Sequence, residues 1–141
     1  MYRKLIMTLL ISLSFNSLVK AQDKENTETG KIYFLRSTGF AGSAAAFKTF
    51  IDGEFVCKLN NKKYSVHEVP VGKHECSVQF GGKVSKEKAE KFEVQVESGK
   101  ITYVQLVFET GVFVNNIYCE EVTENTATQK IAKMEEDTKC L

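Results

Sequence analysis

The chain has 141 residues, with 19 Lys and Arg against 18 Asp and Glu, and a formal net charge of +1. That near balance argues against a nucleic-acid partner, which demands a basic face, and gives no general pull toward an anionic membrane. Hydrophobic residues make up 43% of the sequence, enough for one real core in a domain of this size.

The N-terminus reads as an export signal. Arg3 and Lys4 precede an apolar run from Leu5 to Phe15, and Val19 and Ala21 occupy the small-residue positions ahead of a cut before Gln22. The run is interrupted by Thr8, Ser12 and Ser14, and a spanning helix needs roughly 20 apolar residues, so cleavage is expected rather than anchoring. No Cys sits at the cut to accept a lipid, and no later segment is apolar enough to span a bilayer, so the mature chain is expected to carry no transmembrane segment. Removal of 1–21 leaves 16 basic and 18 acidic residues. Residues 22–30 are polar and without pattern, and read as a disordered linker. The expected product is periplasmic or extracellular.

From residue 31 onward the chain reads as strands divided by turns. Lys31 to Arg36 is an apolar and aromatic run, a first strand covered in part on both faces. Residues 38–46 hold two Gly and several Ala and form a loop. Asp52-Gly53, between Phe50-Ile51 and Phe55-Val56, predicts a hairpin, because a type I′ turn needs positive φ at both central residues. Residues 55–59 alternate, 60–63 turn, and 64–69 form the next strand. Pro70-Val71-Gly72-Lys73 is a further turn, and it places the single Pro between strands, where its missing N–H does least harm.

His74, Cys76, Val78 and Phe80 then share one strand face, with Glu75, Ser77 and Gln79 on the other. A solvated segment at 83–91 leads to Phe92, Val94 and Val96, alternating with polar residues. Ser98-Gly99-Lys100 turns into a strand through Phe108, and residues 112–122 predict the last strand. In the tail, Ala127, Ile131, Met134 and Thr138 recur at helical spacing, with Thr126 or Thr128 as candidate cap. The pattern predicts an all-β, antiparallel sandwich of about seven strands over 31–122, with a short helix in 123–141.

Four segments together form a recognisable pattern. They are Gly30-Lys31-Ile32-Tyr33-Phe34-Leu35-Arg36, Phe50-Ile51-Asp52-Gly53-Glu54-Phe55-Val56, Val69-Pro70-Val71-Gly72-Lys73-His74 and Ser98-Gly99-Lys100-Ile101-Thr102-Tyr103-Val104. Their order and spacing resemble the bacterial exported family called domain of unknown function 2846, and the broader PEGA-type modules. The resemblance implies a small immunoglobulin- or transthyretin-like sandwich and an envelope location. It implies no catalytic residue, since none is defined for the family. Asp52, Gly53, Pro70, Gly72 and Gly99 read as fold positions, because turns require them.

The candidate chemistry is sparse. The two His, His67 and His74, would have to serve any Ser/His/Asp or Cys/His set, and no nucleophile motif accompanies them. No enzyme and no cofactor are therefore expected; a pocket holding either His beside an acid would reopen the question. His74 and Cys76, with Cys57 in the same half of the domain, are metal candidates suited to zinc or copper, although their spacing matches no ligand signature. The plainer reading makes Cys57 and Cys76 core-facing sulfurs. Export makes disulfides plausible for Cys57, Cys76, Cys119 and Cys140. Of the three pairings, 57–76 with 119–140 is preferred, the first closing a loop of about 20 residues worth roughly 3 kcal/mol, the second pinning the helix to the last strand. The leading functional expectation is a binding or structural module with a partner protein in the cell envelope. The rival is a small-ligand or metal-binding protein.

Overall fold

A computed structural model of the chain describes residues 27–40, 43–80, 91–113 and 115–140. The expected signal segment 1–21, most of the expected linker and residues 83–90 of the expected solvated segment lie outside the described residues. Among the described residues nine strands and one helix follow in chain order: β1 (Thr29–Arg36), β2 (Phe47–Ile51), β3 (Glu54–Leu59), β4 (Lys63–Pro70), β5 (Gly72–Gln79), β6 (Lys91–Val96), β7 (Ile101–Thr110), β8 (Asn115–Val122), α1 (Glu124–Ile131) and β9 (Glu135–Glu136). They form a five-stranded sheet, ordered β8-β7-β1-β4-β9, packed on a four-stranded sheet, ordered β3-β2-β5-β6.

The expected all-β sandwich with one short C-terminal helix is therefore what forms. Two details correct the expectation. β1 pairs with β7 in parallel, and β4 with β9 in parallel, so the sandwich is not wholly antiparallel. The chain between β1 and β7 builds β4 and the whole second sheet, which supplies the long crossover a parallel pair needs. The last long strand begins at Asn115, and Val112 and Phe113 are exposed loop residues.

Strand alternation builds the core. Ile32 and Phe34 of β1, Phe47 of β2, Leu59 of β3, Val78 of β5 and Val104 of β7 all meet between the sheets, fully buried. Each such side chain contributes roughly 1.5–3 kcal/mol through burial. Phe47, Phe80 and Phe108 pack edge to face or tilted at 5.0–5.9 Å, closing the core toward one end.

β1 is covered on both faces, as its unbroken apolar run foretold. Its outward Leu35 is buried because α1 lies across the outer face of the five-stranded sheet, bringing Ala127 against Leu35 and Tyr103. Tyr33 stacks on Tyr64 and meets Tyr103 edge-on at 5.4 Å beside this contact. Thr123 is the cap, accepting from the Thr126 amide at 3.4 Å, where Thr126 or Thr128 was expected. The stripe of Ala127, Ile131 and Met134 does pack, but Met134 lies beyond the helix and Thr138 takes no part in that cluster. The Glu135 amide then bonds the Lys62 carbonyl, and the Asp137 amide the Tyr64 carbonyl, which makes β9 an added strand on β4.

The β2–β3, β4–β5 and β6–β7 turns gather at one end. Asp52 (φ 53°) and Gly53 (φ 82°) make the expected two-residue turn with positive φ at both positions. Gly99 (φ 67°) serves the β6–β7 turn likewise. Gly30 is required for a different reason, which is space. A Cβ there would stand 2.5 Å from the Glu97 carbonyl oxygen and 2.6 Å from Val96 Cγ1. Backbone cannot yield cheaply, so Gly30→Ala is expected to lower unfolding free energy by about 2–3 kcal/mol in urea titration. An unchanged midpoint would show that this end accommodates the methyl.

Candidate functional site

The two sheets leave an open groove between β3 and β4. It holds about 570 Å³ and is lined by His67 and His74, by the carboxylates Asp52, Glu54 and Glu68, and by apolar neighbours including Val56 and Val69. β-strand parity places His67 between Ser65 and Val69 on the inner face of β4, and His74 two residues before buried Cys76 on β5.

His74 is fully committed. Its Nδ1 lies 2.6 Å from Asp52 Oδ2, and its Nε2 lies 2.7 Å from the Pro70 carbonyl oxygen. Both partners only accept, so both ring nitrogens donate and the ring is an imidazolium. Desolvation is the largest single influence and pulls the His74 pKa down, but the Asp52 hydrogen bond, the Pro70 carbonyl and the Asp52 charge together raise it. Asp52 is lowered in return, its desolvation outweighed by bonds from His74 and the Glu75 amide and by the His74 charge. The clasp ties the β2–β3 turn to the β4–β5 turn. Its contribution is complete below the unfolded His value and lost as pH rises through the raised folded value; on the Asp52 side it is present above the unfolded carboxylate value and lost as pH falls through the lowered folded one.

Asp52→Asn keeps a residue that tolerates positive φ and keeps an acceptor for the Glu75 amide. It removes the charge pair. With Asp52 half exposed, the variant is expected to be less stable by about 1 kcal/mol near pH 6. That difference should shrink toward zero near pH 9. Urea midpoints at the two pH values test this, and a pH-independent difference would contradict it.

His67 is held differently. Nε2 lies 2.9 Å from Ser65 Oγ, and the ring meets Phe34 edge-on at 5.7 Å. Burial pushes its pKa below the ordinary value, so the imidazole is neutral at neutral pH. A nitrogen of this ring and the sulfurs of Cys57 and Cys140 all lie within 4.8 Å of one another.

The two sulfurs are bonded: Cys57 and Cys140 form a disulfide. This corrects the preferred pairing of 57–76 with 119–140. The tail runs along β4 after crossing the outer sheet, which brings Cys140 to the open side of the sandwich, beside β3 and, in sheet order, away from Cys119 on β8. Asp137 Oδ1 accepts from the Cys140 amide at 3.1 Å and turns the chain inward. Cys76 and Cys119 are buried free thiols in the core. Desolvation, with the nearby carboxylates Asp52, Glu121 and Glu75, pushes Cys76 up to about 12; desolvation, with Cys76 beside it, pushes Cys119 up as well. Alkylation of the native protein at about pH 8 should label neither, because the thiolate is the nucleophile. Denaturant should expose both, with Cys57 and Cys140 labelled only after reduction. Native labelling of Cys76 would contradict the burial.

Residues 26–118 match the family model described as "Protein of unknown function (DUF2846)". The chain belongs to the DUF2846 family. No curated protein matches it. The segments that suggested the family gather at one end of this DUF2846 fold, and each has a physical task there. The Lys31 amide bonds the Lys100 carbonyl at 2.9 Å, the Gly99 amide bonds the Thr29 carbonyl at 2.9 Å, and the His74 clasp joins the other two turns.

Of the sequence candidates, His74, Cys76 and Cys57 do not come together as a ligand group among the described residues. Cys57 instead meets His67 and Cys140. Inward parity of Ser65, His67 and Val69 was the available signal for His67. Nothing local announced Cys140, since its position depends on the path of the whole tail.

Proposed function

We propose that this DUF2846 chain is a non-enzymatic binding module of the bacterial cell envelope that docks a partner protein on the loop end of its sandwich. The observation that carries the reading is the exposure of Phe40 (98%), Phe113 (96%) and Val112 (91%). β1 and β7 lie side by side and run parallel, so the loops that follow them leave the same end. Large apolar side chains grouped on loop tips are stabilised when a partner covers them. Asn61 supports the first loop, accepting from the Thr38 amide at 2.9 Å and donating to the Gly39 carbonyl at 3.1 Å.

Two further points support the reading. The Arg3-Lys4 and Leu5–Phe15 pattern suits export, and a disulfide persists in an oxidising compartment. The groove does hold a His beside an acid, but His74 has both ring nitrogens engaged in joining turns, which suits structure better than proton transfer.

The test places a photo-crosslinking residue at Phe40, at Phe113, or at Gln95 on the outer face of β6, in protein exported at native abundance. The same single adduct at Phe40 and Phe113, and none at Gln95, is the expected result. No adduct at either loop, or equal adducts at all three positions, would overturn the proposal.

A further inference from the structure

We propose that Cys57, His67 and Cys140 form a redox-gated site for one thiophilic d10 metal ion, closed while the two sulfurs are bonded to each other and open when they are reduced. The His67 nitrogen lies within 4.8 Å of both sulfurs, near the spacing of two ligands on one ion, whose bonds to sulfur and nitrogen run about 2.0–2.3 Å; the sulfurs, bonded to each other, have only to part for all three donors to surround it. Two thiolates and an imidazole select zinc or copper(I) over magnesium or calcium. A disulfide offers no thiolate, so the bonded state excludes the ion.

The surroundings suit the task. Ser65 is buried, and its hydroxyl meets His67 Nε2 at 2.9 Å, which fixes the orientation of the ring. His67 also lines the groove between β3 and β4, whose Asp52, Glu54 and Glu68 carboxylates favour cation entry. Cys140 sits on a turn after β9, not within a strand ladder, so its sulfur can separate from that of Cys57 without breaking sheet bonds. Cys76 and Cys119, buried and held as thiols, are poor competitors for the ion.

The opening step balances as thiol–disulfide exchange. A dithiol reductant gives up two electrons and two protons and becomes a disulfide; the Cys57–Cys140 bond breaks and yields two thiols. The incoming ion then displaces both thiol protons to solvent and binds the sulfurs as thiolates.

The experiment uses the whole exported chain under anaerobic conditions, oxidised or reduced with a phosphine, dialysed against zinc(II) or, in a separate arm, copper(I). Metal content is read by atomic emission and fold by circular dichroism. The reduced protein is expected to take up one ion per chain and the oxidised protein none, and the arm with tighter uptake names the ion. His67→Ala, which leaves the disulfide intact, should weaken uptake by the reduced chain by roughly 100-fold, and Ser65→Ala by about tenfold. If reduction alone unfolds the chain, one equivalent of the ion should restore the native spectrum. Reduced protein that holds no more metal than oxidised protein, full affinity in His67→Ala, or an unfolded reduced chain that neither ion rescues would each overturn the proposal.

Discussion

Cys140→Ser is expected to lower the stability of the oxidised protein by roughly 4.5 kcal/mol, the loop-entropy value for a crosslink that joins residues 83 apart. A domain of this size has a total of about 5–15 kcal/mol, so the loss is a large fraction of it. The crosslink does more than shorten the unfolded chain. It fixes the end of a tail that crosses the five-stranded sheet, covers Leu35 with Ala127 and adds β9 to β4. In the variant, that tail is held by one small apolar cluster and a two-residue ladder, so proteolysis within residues 123–140 should accelerate along with the shift in urea midpoint. Cys119→Ser provides the contrast. Under a 119–140 pairing both variants would lose the same bond; with Cys57–Cys140 bonded, Cys119→Ser costs only the burial of a hydroxyl, about 1–3 kcal/mol, and leaves the tail resistant. Wild type under reducing conditions should behave as oxidised Cys140→Ser does. Equal midpoints for Cys140→Ser and wild type would remove the disulfide from the stability argument.

The sequence made the strand faces legible but not their neighbours. His74, Cys76 and Val78 do share an inward face, and Asp52-Gly53 does turn with positive φ, because both facts follow from local geometry. The parallel pairing of β1 with β7 is a relation between segments some 70 residues apart, and alternation carries no record of it. β9 is two glutamates; its strand state comes from the Lys62 and Tyr64 carbonyls and not from its own side chains. The cysteine pairing failed for the same reason. The 57–76 pairing was preferred for the loop of about 20 residues it would close, but both of those sulfurs sit on core-facing positions of strands separated by β2, while the tail delivers Cys140 to the open side of β3. Val112 and Phe113 read as strand because they are apolar, and their exposure is what gives the loop end its character.

Arg36 carries the second large expectation and links the core to that loop end. It closes β1, is fully buried, and lies with its guanidinium carbon 3.5 Å from the centre of the Phe47 ring. Nη1 donates to the Leu59 carbonyl at 2.6 Å, and Nε lies 3.4 Å from Thr38 Oγ1. Desolvation lowers its pKa to about 10, so it stays charged at neutral pH. Arg36→Ala leaves a cavity against Phe47 and strips the buried Leu59 carbonyl of this donor, at a combined cost of about 3–4 kcal/mol. Arg36→Met fills the space without carrying a charge into the core, and its cost should be near 1–2 kcal/mol, since an apolar replacement of similar volume avoids desolvating an ion. A Met variant as unstable as the Ala variant would show that the bonds to Leu59 and Thr38, not volume, set the requirement. Both substitutions remove the Nε contact to Thr38, which with Asn61 anchors the loop bearing Phe40. If the loop end docks a partner as proposed, crosslinking should fall more at Phe40 than at Phe113 in Arg36→Met, a difference that simple loss of stability, acting on both loops alike, would not produce.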